Sequence, residues 1–207
     1  RDAVLAMAQS NGVPADEVYV FDASRQTKRV SANVSGLGGT AAVRLNDNLL
    51  NRTSLPEIRA VMAHELGHYV LNHAPKMLMQ FGLLILFGLL FCQWGMRQLF
   101  ARYGRRWGTQ DVADVASLPL LAALFSVFML AATPVFHSII RVQEIEADRF
   151  GLNLARDPHG FAEVMLKLSD YRKPDPGRLE EVVFFHHPSA RHRIYDAMRW
   201  REATGTP

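Results

Sequence analysis

Residues 77–96 and 115–140 contain no Asp, Glu, Lys or Arg, and this limits the 207-residue chain more than any other feature. Twenty helical residues reach about 30 Å, the hydrocarbon thickness of a bilayer. Buried helices of soluble proteins rarely stay uncharged so long, and too little chain remains here to cover such a hairpin as a soluble core. The expectation is an integral membrane protein with a two-helix transmembrane hairpin, its second helix kinked at Pro119 and Pro134. A mean hydropathy of −0.01 conceals this division. The single cysteine, Cys92, lies inside the first apolar stretch, which excludes an intrachain disulfide. Basic and acidic side chains number 23 and 20, and the arginines form no stripe with interleaved aromatics, so a nucleic-acid partner is not expected.

The flanking segments have the patterns of a small α+β domain. Residues 1–12 read as an amphipathic helix, 18–22 and 41–47 as strands, and 29–40 as a small-residue strand running into a glycine-rich turn. Together these give a sheet of about three strands. Ser54 and Glu57 have the spacing of a capping box, and Pro56 suits a first turn. That helix is expected to run through His73 and end near Pro75. Residues 141–155 read as a further helix, Asp157-Pro158 as the start of another, 172–177 as a loop and 188–203 as a last helix. The expected organisation is 1–76 and 141–207 as two parts of one catalytic domain, with 77–140 as the inserted hairpin. Arg1 falls inside a helical pattern, so the chain reads as a truncated catalytic portion.

The chemistry starts at His64-Glu65-Leu66-Gly67-His68. Histidines four apart on a helix project from one face and can bind one metal ion, while Glu65 can reach a water held on it. Imidazole pairs suit zinc. The bland alternative is two solvated histidines on a surface helix, against which stand the apolar neighbours Val61, Met62, Leu66 and Val70. A catalytic site needs a third protein ligand and an open fourth position. His73, His137, Glu144, Glu146, Asp148, His159, His186, His187 and His192 all qualify by residue type. On a continuous helix His73 would point away from the pair, and Glu146 would face opposite Glu144. Glu144 and Asp148 share a face, and such a pair can supply a ligand and an acceptor that orients a ligating imidazole. Two membrane crossings would also return the chain to the side of His64 just before Glu144. His137, near the domain end of the second apolar stretch, is a candidate by the rule for intramembrane ionisable groups, or simply an interfacial residue.

The segments VMAHELGHYVLNH and QEIEADRFG, with two apolar stretches between them, resemble the integral-membrane CAAX prenyl endopeptidases and their relative, the heat-shock membrane protease. The resemblance covers most of the chain. It implies a zincin-like gluzincin catalytic domain, mainly α, with a small sheet and the hairpin inserted between the metal-binding helices. It implies one zinc ion held by His64, His68 and Glu144, with Glu65 as general base and Asp148 as orienting residue. HPSARHRI (187–194) is similar to the family's late His-Pro segment. This puts His187 near the substrate as a donor to the developing oxyanion, with Arg193 bracing the site, although His187-Pro188 also reads as a simple helix entry. The stretch from Ser31 is similar to the family's edge strand, which pairs with substrate by strand addition. Here Ser31, Ala32 and Asn33 replace the usual Asn-Ala-aromatic, so the backbone pairing carries over and the asparagine contact does not.

The resemblance thus implies a membrane-bound zinc endopeptidase acting on peptide or protein substrates, prenylated ones included, at the surface of a lipid bilayer. A quality-control protease of the heat-shock type is the rival enzyme. A silent zinc-binding scaffold is the rival outside enzymes, and the intact Glu65 counts against it. Arg97, Arg102, Arg105 and Arg106 would draw the segment between the spans into the cytoplasm, whereas the family places the catalytic domain there. Arginine exceeds lysine by 19 to 4, which points to a bacterial inner membrane. Nothing in the sequence indicates an oligomeric state.

Overall fold

The computed structural model describes residues 1–36, 40–108, 111, 113–169 and 173–206. The chain folds as helix α1 (Asp2–Ser10), strands β1 (Val18–Phe21), β2 (Ala32–Ser35) and β3 (Ala42–Asn46), then helices α2 (Asp47–Arg52) and α3 (Leu55–Val70). Two long helices follow, α4 (His73–Trp107) and α5 (Leu118–Ala155), and the chain ends with α6 (Pro158–Leu168), α7 (Arg178–Phe184) and α8 (Ala190–Thr204). This is the mainly helical, zincin-like arrangement expected, with one three-stranded sheet.

The sheet order is β1-β3-β2, with β1 parallel and β2 antiparallel to β3. β2 is therefore an edge strand. The Ser31 carbonyl accepts from the Asn46 N–H at 3.0 Å, and the Ser31 N–H donates to the Asn46 side chain at 3.1 Å. By antiparallel alternation the backbone groups of Ala32 and Val34 then point to the open edge. The glycine-rich turn expected after this strand falls on Leu37, Gly38 and Gly39, which lie outside the described residues.

Val43, Leu45, Leu49, Ala60, Met62, Leu66, Phe161 and Val164 form the centre of the core, between sheet, α3 and α6. The α3 capping box forms as its spacing predicts, with the Ser54 N–H donating to Glu57. Its far end differs from expectation. The helix stops at Val70, Asn72 takes the left-handed conformation at φ 56°, and a new helix begins at His73. Asparagine tolerates that conformation, and Pro75 lies in the first turn of α4, where a missing N–H costs nothing. Proline here belongs to a beginning, not an end.

Both apolar stretches lie in helices long enough to cross a membrane, and only 11% of the most apolar window of each is buried. That burial does not fit the core of a soluble protein. α4 and α5 pair as a hairpin, with Phe81 stacked on Phe136 at 4.6 Å and Gln143 donating to Gln80 at 2.9 Å. Pro119 occupies the first turn of α5 and so does not interrupt it; Pro134 lies within. Residues 141–155 are the continuation of α5 rather than a separate helix. Helices α2 and α7 had no counterpart in the sequence reading: Asn46 caps α2 where a strand was expected to continue, and the seven residues of α7 are too few for periodicity to show.

Candidate metal centre

α3 and α5 cross so closely that side chains would obstruct them. A Cβ on Gly67 would stand 3.1 Å from Ala147 Cα, and one on Gly151 would stand 3.0 Å from the His64 backbone nitrogen. This crossing brings the two histidines of α3 to the carboxylates of α5. The sequence brought these two helices together through the two crossings, but did not show the contact of their small residues that permits it.

His64 Nε2 and His68 Nε2 are 3.1 Å apart. Glu144 Oε2 lies 3.5 Å from His64 Nε2, and Glu144 Oε1 lies 3.5 Å from His68 Nε2. Tetrahedral zinc with bonds of about 2.0–2.1 Å needs ligand atoms about 3.3 Å apart, so the donor set fits such an ion. The charge balance fits as well. Burial disfavours a charged imidazole at His64, yet hydrogen bonds to Asp148 and Glu144 and their negative charges push its pKa up to about 10. The site attracts positive charge, which a divalent cation would supply.

The surrounding side chains hold this set in place. Asp148 Oδ1 accepts from His64 Nδ1 at 2.8 Å, and Arg193 Nε donates to Asp148 Oδ2 at 2.7 Å. Arg193 Nη2 closes a second bond to Asp148 Oδ1, making the pair bidentate. Arg193 is buried, and although burial disfavours its charge, Asp148 holds its pKa above the ordinary arginine value. Arg193 lines the cleft beside Glu65 and His187, while its guanidinium bonds to Asp148 and its Nη2 lies 3.4 Å from His64 Nδ1. His187 Nε2 lies 3.5 Å from Glu144 Oε2, on the rim of the set. Glu65 lines the same cleft, a cavity of about 310 Å³, together with Val30, Ser31 and Ala32. Burial pushes the Glu65 carboxyl up, against the pull of His64 and His68. Asn33 is not among the cleft-lining residues.

Two residues set aside in the sequence reading join this cluster. His73 Nδ1 lies 2.8 Å from His68 Nδ1, and Glu146 Oε2 lies 3.1 Å from His73 Nε2. The expectation that His73 points elsewhere assumed one unbroken helix, and the turn at Asn72 removes that premise. Glu146 does lie with Glu144 on the unbroken α5, and it meets His73 rather than the donor set. Asn72 followed by a first-turn proline was the available signal. His137, by contrast, donates from Nδ1 to the Val183 carbonyl at 2.7 Å. With Arg141, which donates to the carbonyls of Glu181 at 3.0 Å and Phe185 at 2.8 Å, it secures the end of α7 just before His187. In the sequence Arg141 counts only as a flanking charge of the second apolar stretch, and no motif marks it for this role.

The sequence model of peptidase family M48 matches residues 1–201. The chain belongs to that family. A metalloprotease of Bacillus subtilis (strain 168), YhfN, named as uncharacterized, is 31% identical to this M48 chain over 202 residues, covering 97% of the chain and 47% of that protein. CAAX prenyl protease 1 of Saccharomyces cerevisiae is 25% identical over 212 residues, covering 94% and 46%. A protease HtpX homolog of Thermoanaerobacter pseudethanolicus is 26% identical over 218 residues, covering 94% and 69%. The M48 chain thus spans about half the length of the first curated relatives it matches. The crystal structure of S. mikatae Ste24p superposes with a TM-score of 0.73 over 94% of this chain and 48% of that one, at 22% identity, a likeness of fold. M48 metalloproteases are metal-dependent, and His64, His68 and Glu144 are the donor group found among the described residues.

Proposed function

We propose that the chain is a zinc endopeptidase that cleaves peptide bonds at a membrane surface. One observation carries this reading: three donor atoms converge at zinc-ligand spacing in a cleft that also holds Glu65 and opens beside an edge strand. Bound zinc would supply a Lewis acid and lower the pKa of water. Glu65 takes the proton of the attacking water and returns it to the leaving amine. His187 donates a hydrogen bond to the oxygen on which charge develops. Asp148, clamped by Arg193, fixes His64 in the tautomer that leaves Nε2 free to bind. The open backbone of Ala32 pairs with an extended substrate.

The site lies where α3 meets the hairpin and where α5 leaves it, so a substrate with an apolar portion keeps that portion in lipid while its peptide bond reaches Glu65. Substrates of CAAX type, carrying a prenyl group, have this character. The catalytic layer faces the cytoplasm of a bacterial inner membrane, following the family resemblance and the arginine-rich composition. The test is cleavage of a fluorogenic farnesylated peptide and its unprenylated twin by detergent-solubilised protein, with Glu65→Gln and chelator-treated samples alongside. The reading expects cleavage of the prenylated peptide, abolished in both controls. Equal cleavage of both peptides would remove the prenyl requirement and favour a quality-control role. Stoichiometric zinc with no cleavage of either would overturn the peptidase reading for this chain.

A further inference from the structure

The two ligating imidazoles are supported in unlike ways. His64 meets a carboxylate directly, through Asp148. His68 directs Nε2 at the His64 and Glu144 donor atoms, so Nδ1 is its remaining nitrogen, and that atom meets another imidazole, His73. His73 is fully buried, and its far nitrogen meets Glu146, a half-exposed carboxylate that Lys76 approaches at 3.6 Å.

Proton positions along this line follow from valence. A nitrogen that binds a metal must present a lone pair, so neutral His68 carries its proton on Nδ1. His73 Nδ1 must then accept, which places the His73 proton on Nε2. That atom faces an acceptor-only carboxylate. Each link joins a donor to an acceptor, and reversing any one would set two donors or two lone pairs together. The arrangement depends on the turn at Asn72. On an unbroken helix His73 would lie about 140° round from His68; the restart at His73 brings its ring back to the site.

We propose that His73 and Glu146 are positioning residues of the metal centre. His73 sets the ring orientation and tautomer of His68, and Glu146 anchors His73, so the second imidazole ligand reaches its carboxylate through an intervening ring. This rests on the metalloprotease reading of the site. Partners of this kind behind a ligating imidazole change metal affinity by about 10–100-fold when removed.

The experiment uses the full chain in detergent and reads zinc affinity by chelator competition, the absorption spectrum of the cobalt-substituted site, and thermal stability without metal. Wild type should bind one zinc. His73→Phe keeps the ring volume and removes both nitrogens, and should weaken zinc about 10–100-fold and alter the cobalt bands. His73→Gln, whose amide can accept from His68 and donate to Glu146, should restore most of that loss. Glu146→Leu should shift affinity in the same direction by about threefold or more, with the metal-free protein as stable as wild type because the residue is half-exposed. Should His73→Phe fail to fold, Glu146→Leu and His73→Gln carry the test. Wild-type affinity and wild-type cobalt spectra in His73→Phe and Glu146→Leu would overturn the proposal. Weaker binding that His73→Gln does not restore would reduce His73 to a packing residue. A wild-type protein that binds no zinc would fail the metal reading itself, visible before any variant is compared.

Discussion

Helix α5 follows opposite rules along its length. From Gln143 to Leu152 its buried residues are Gln143, Glu144, Ala147, Asp148, Gly151 and Leu152, recurring every three or four positions. The buried charges there, Glu144 and Asp148, each have a partner, and small residues admit α3. From Leu118 to Phe136 the same helix exposes Leu121, Phe125, Val127, Met129, Leu130, Val135 and Phe136. A polar inside and an apolar outside in one continuous helix mean that its two halves are solvated differently. The lower half carries Glu144 of the candidate metal site, and the upper half is long and apolar enough to cross a membrane. In the first region side-chain chemistry decides the outcome of a substitution; in the second, polarity alone does.

The largest effect that would sharpen this contrast is chemical. Glu65→Gln removes the group that accepts a proton while preserving the shape of the cleft. Turnover should fall by about 10²–10⁴-fold, with zinc content and melting temperature retained. Loss of zinc alongside turnover would show that Glu65 holds the site together, and the functional assignment of that carboxylate would fail.

Leucine truncation compares the regions directly. Leu66, fully buried among α3's neighbours, should lose about 2–5 kcal/mol on substitution by alanine. Leu86, half-exposed in α4, should lose under about 0.5 kcal/mol in detergent. Leu86→Asp should instead impair membrane insertion by about 3 kcal/mol, read as the fraction inserted in a glycosylation-mapping assay. Equal melting-temperature losses for both alanine variants would place Leu86 in a packed interface and break the contrast.

How much of this was open to the sequence depended on range. His64, Glu65 and His68 were legible because one helical turn relates them, and Glu144 and Asp148 for the same reason. That the two pairs meet was inferred from two membrane crossings. The means of their meeting, Gly67 against Ala147 and Gly151 against His64, are contacts between distant segments. His73 was misjudged because a single left-handed residue, Asn72, resets the angular count. Ala32 begins the edge strand β2, and which of its neighbours turns outward depends on pairing register, fixed by the Asn46 bonds to Ser31.

The helix crossing offers a smaller perturbation. Gly151→Val would press a side chain on the His64 backbone, from which even a Cβ stands only 3.0 Å away. The expected cost is about 1–3 kcal/mol, with zinc affinity lowered because α3 and α5 are forced apart. Gly82, in the hairpin, has nothing within 4 Å of the same position. Gly82→Val should therefore leave zinc binding unchanged, and a loss there would mean that hairpin and metal centre are coupled.

Acid gives the smallest test, and it too falls on one region. Neither apolar stretch contains Asp or Glu, whereas the domain holds Glu57 fully buried at the start of α3. Burial opposes its charge, but hydrogen bonds from Lys167 and the Ser54 N–H hold its carboxyl below the ordinary glutamate range. A carboxyl with a depressed folded pKa contributes stability that is complete above its unfolded value, 4.5, and lost as pH falls through the folded one. Lys167 is partly exposed, so solvent weakens the pair. Glu57→Gln should thus destabilise the protein by about 1–2 kcal/mol at pH 7. Melting curves of the two proteins should converge as pH falls below 4.5, because protonated glutamate and glutamine are near-isosteres. A gap that persists at low pH would assign the loss to shape rather than charge.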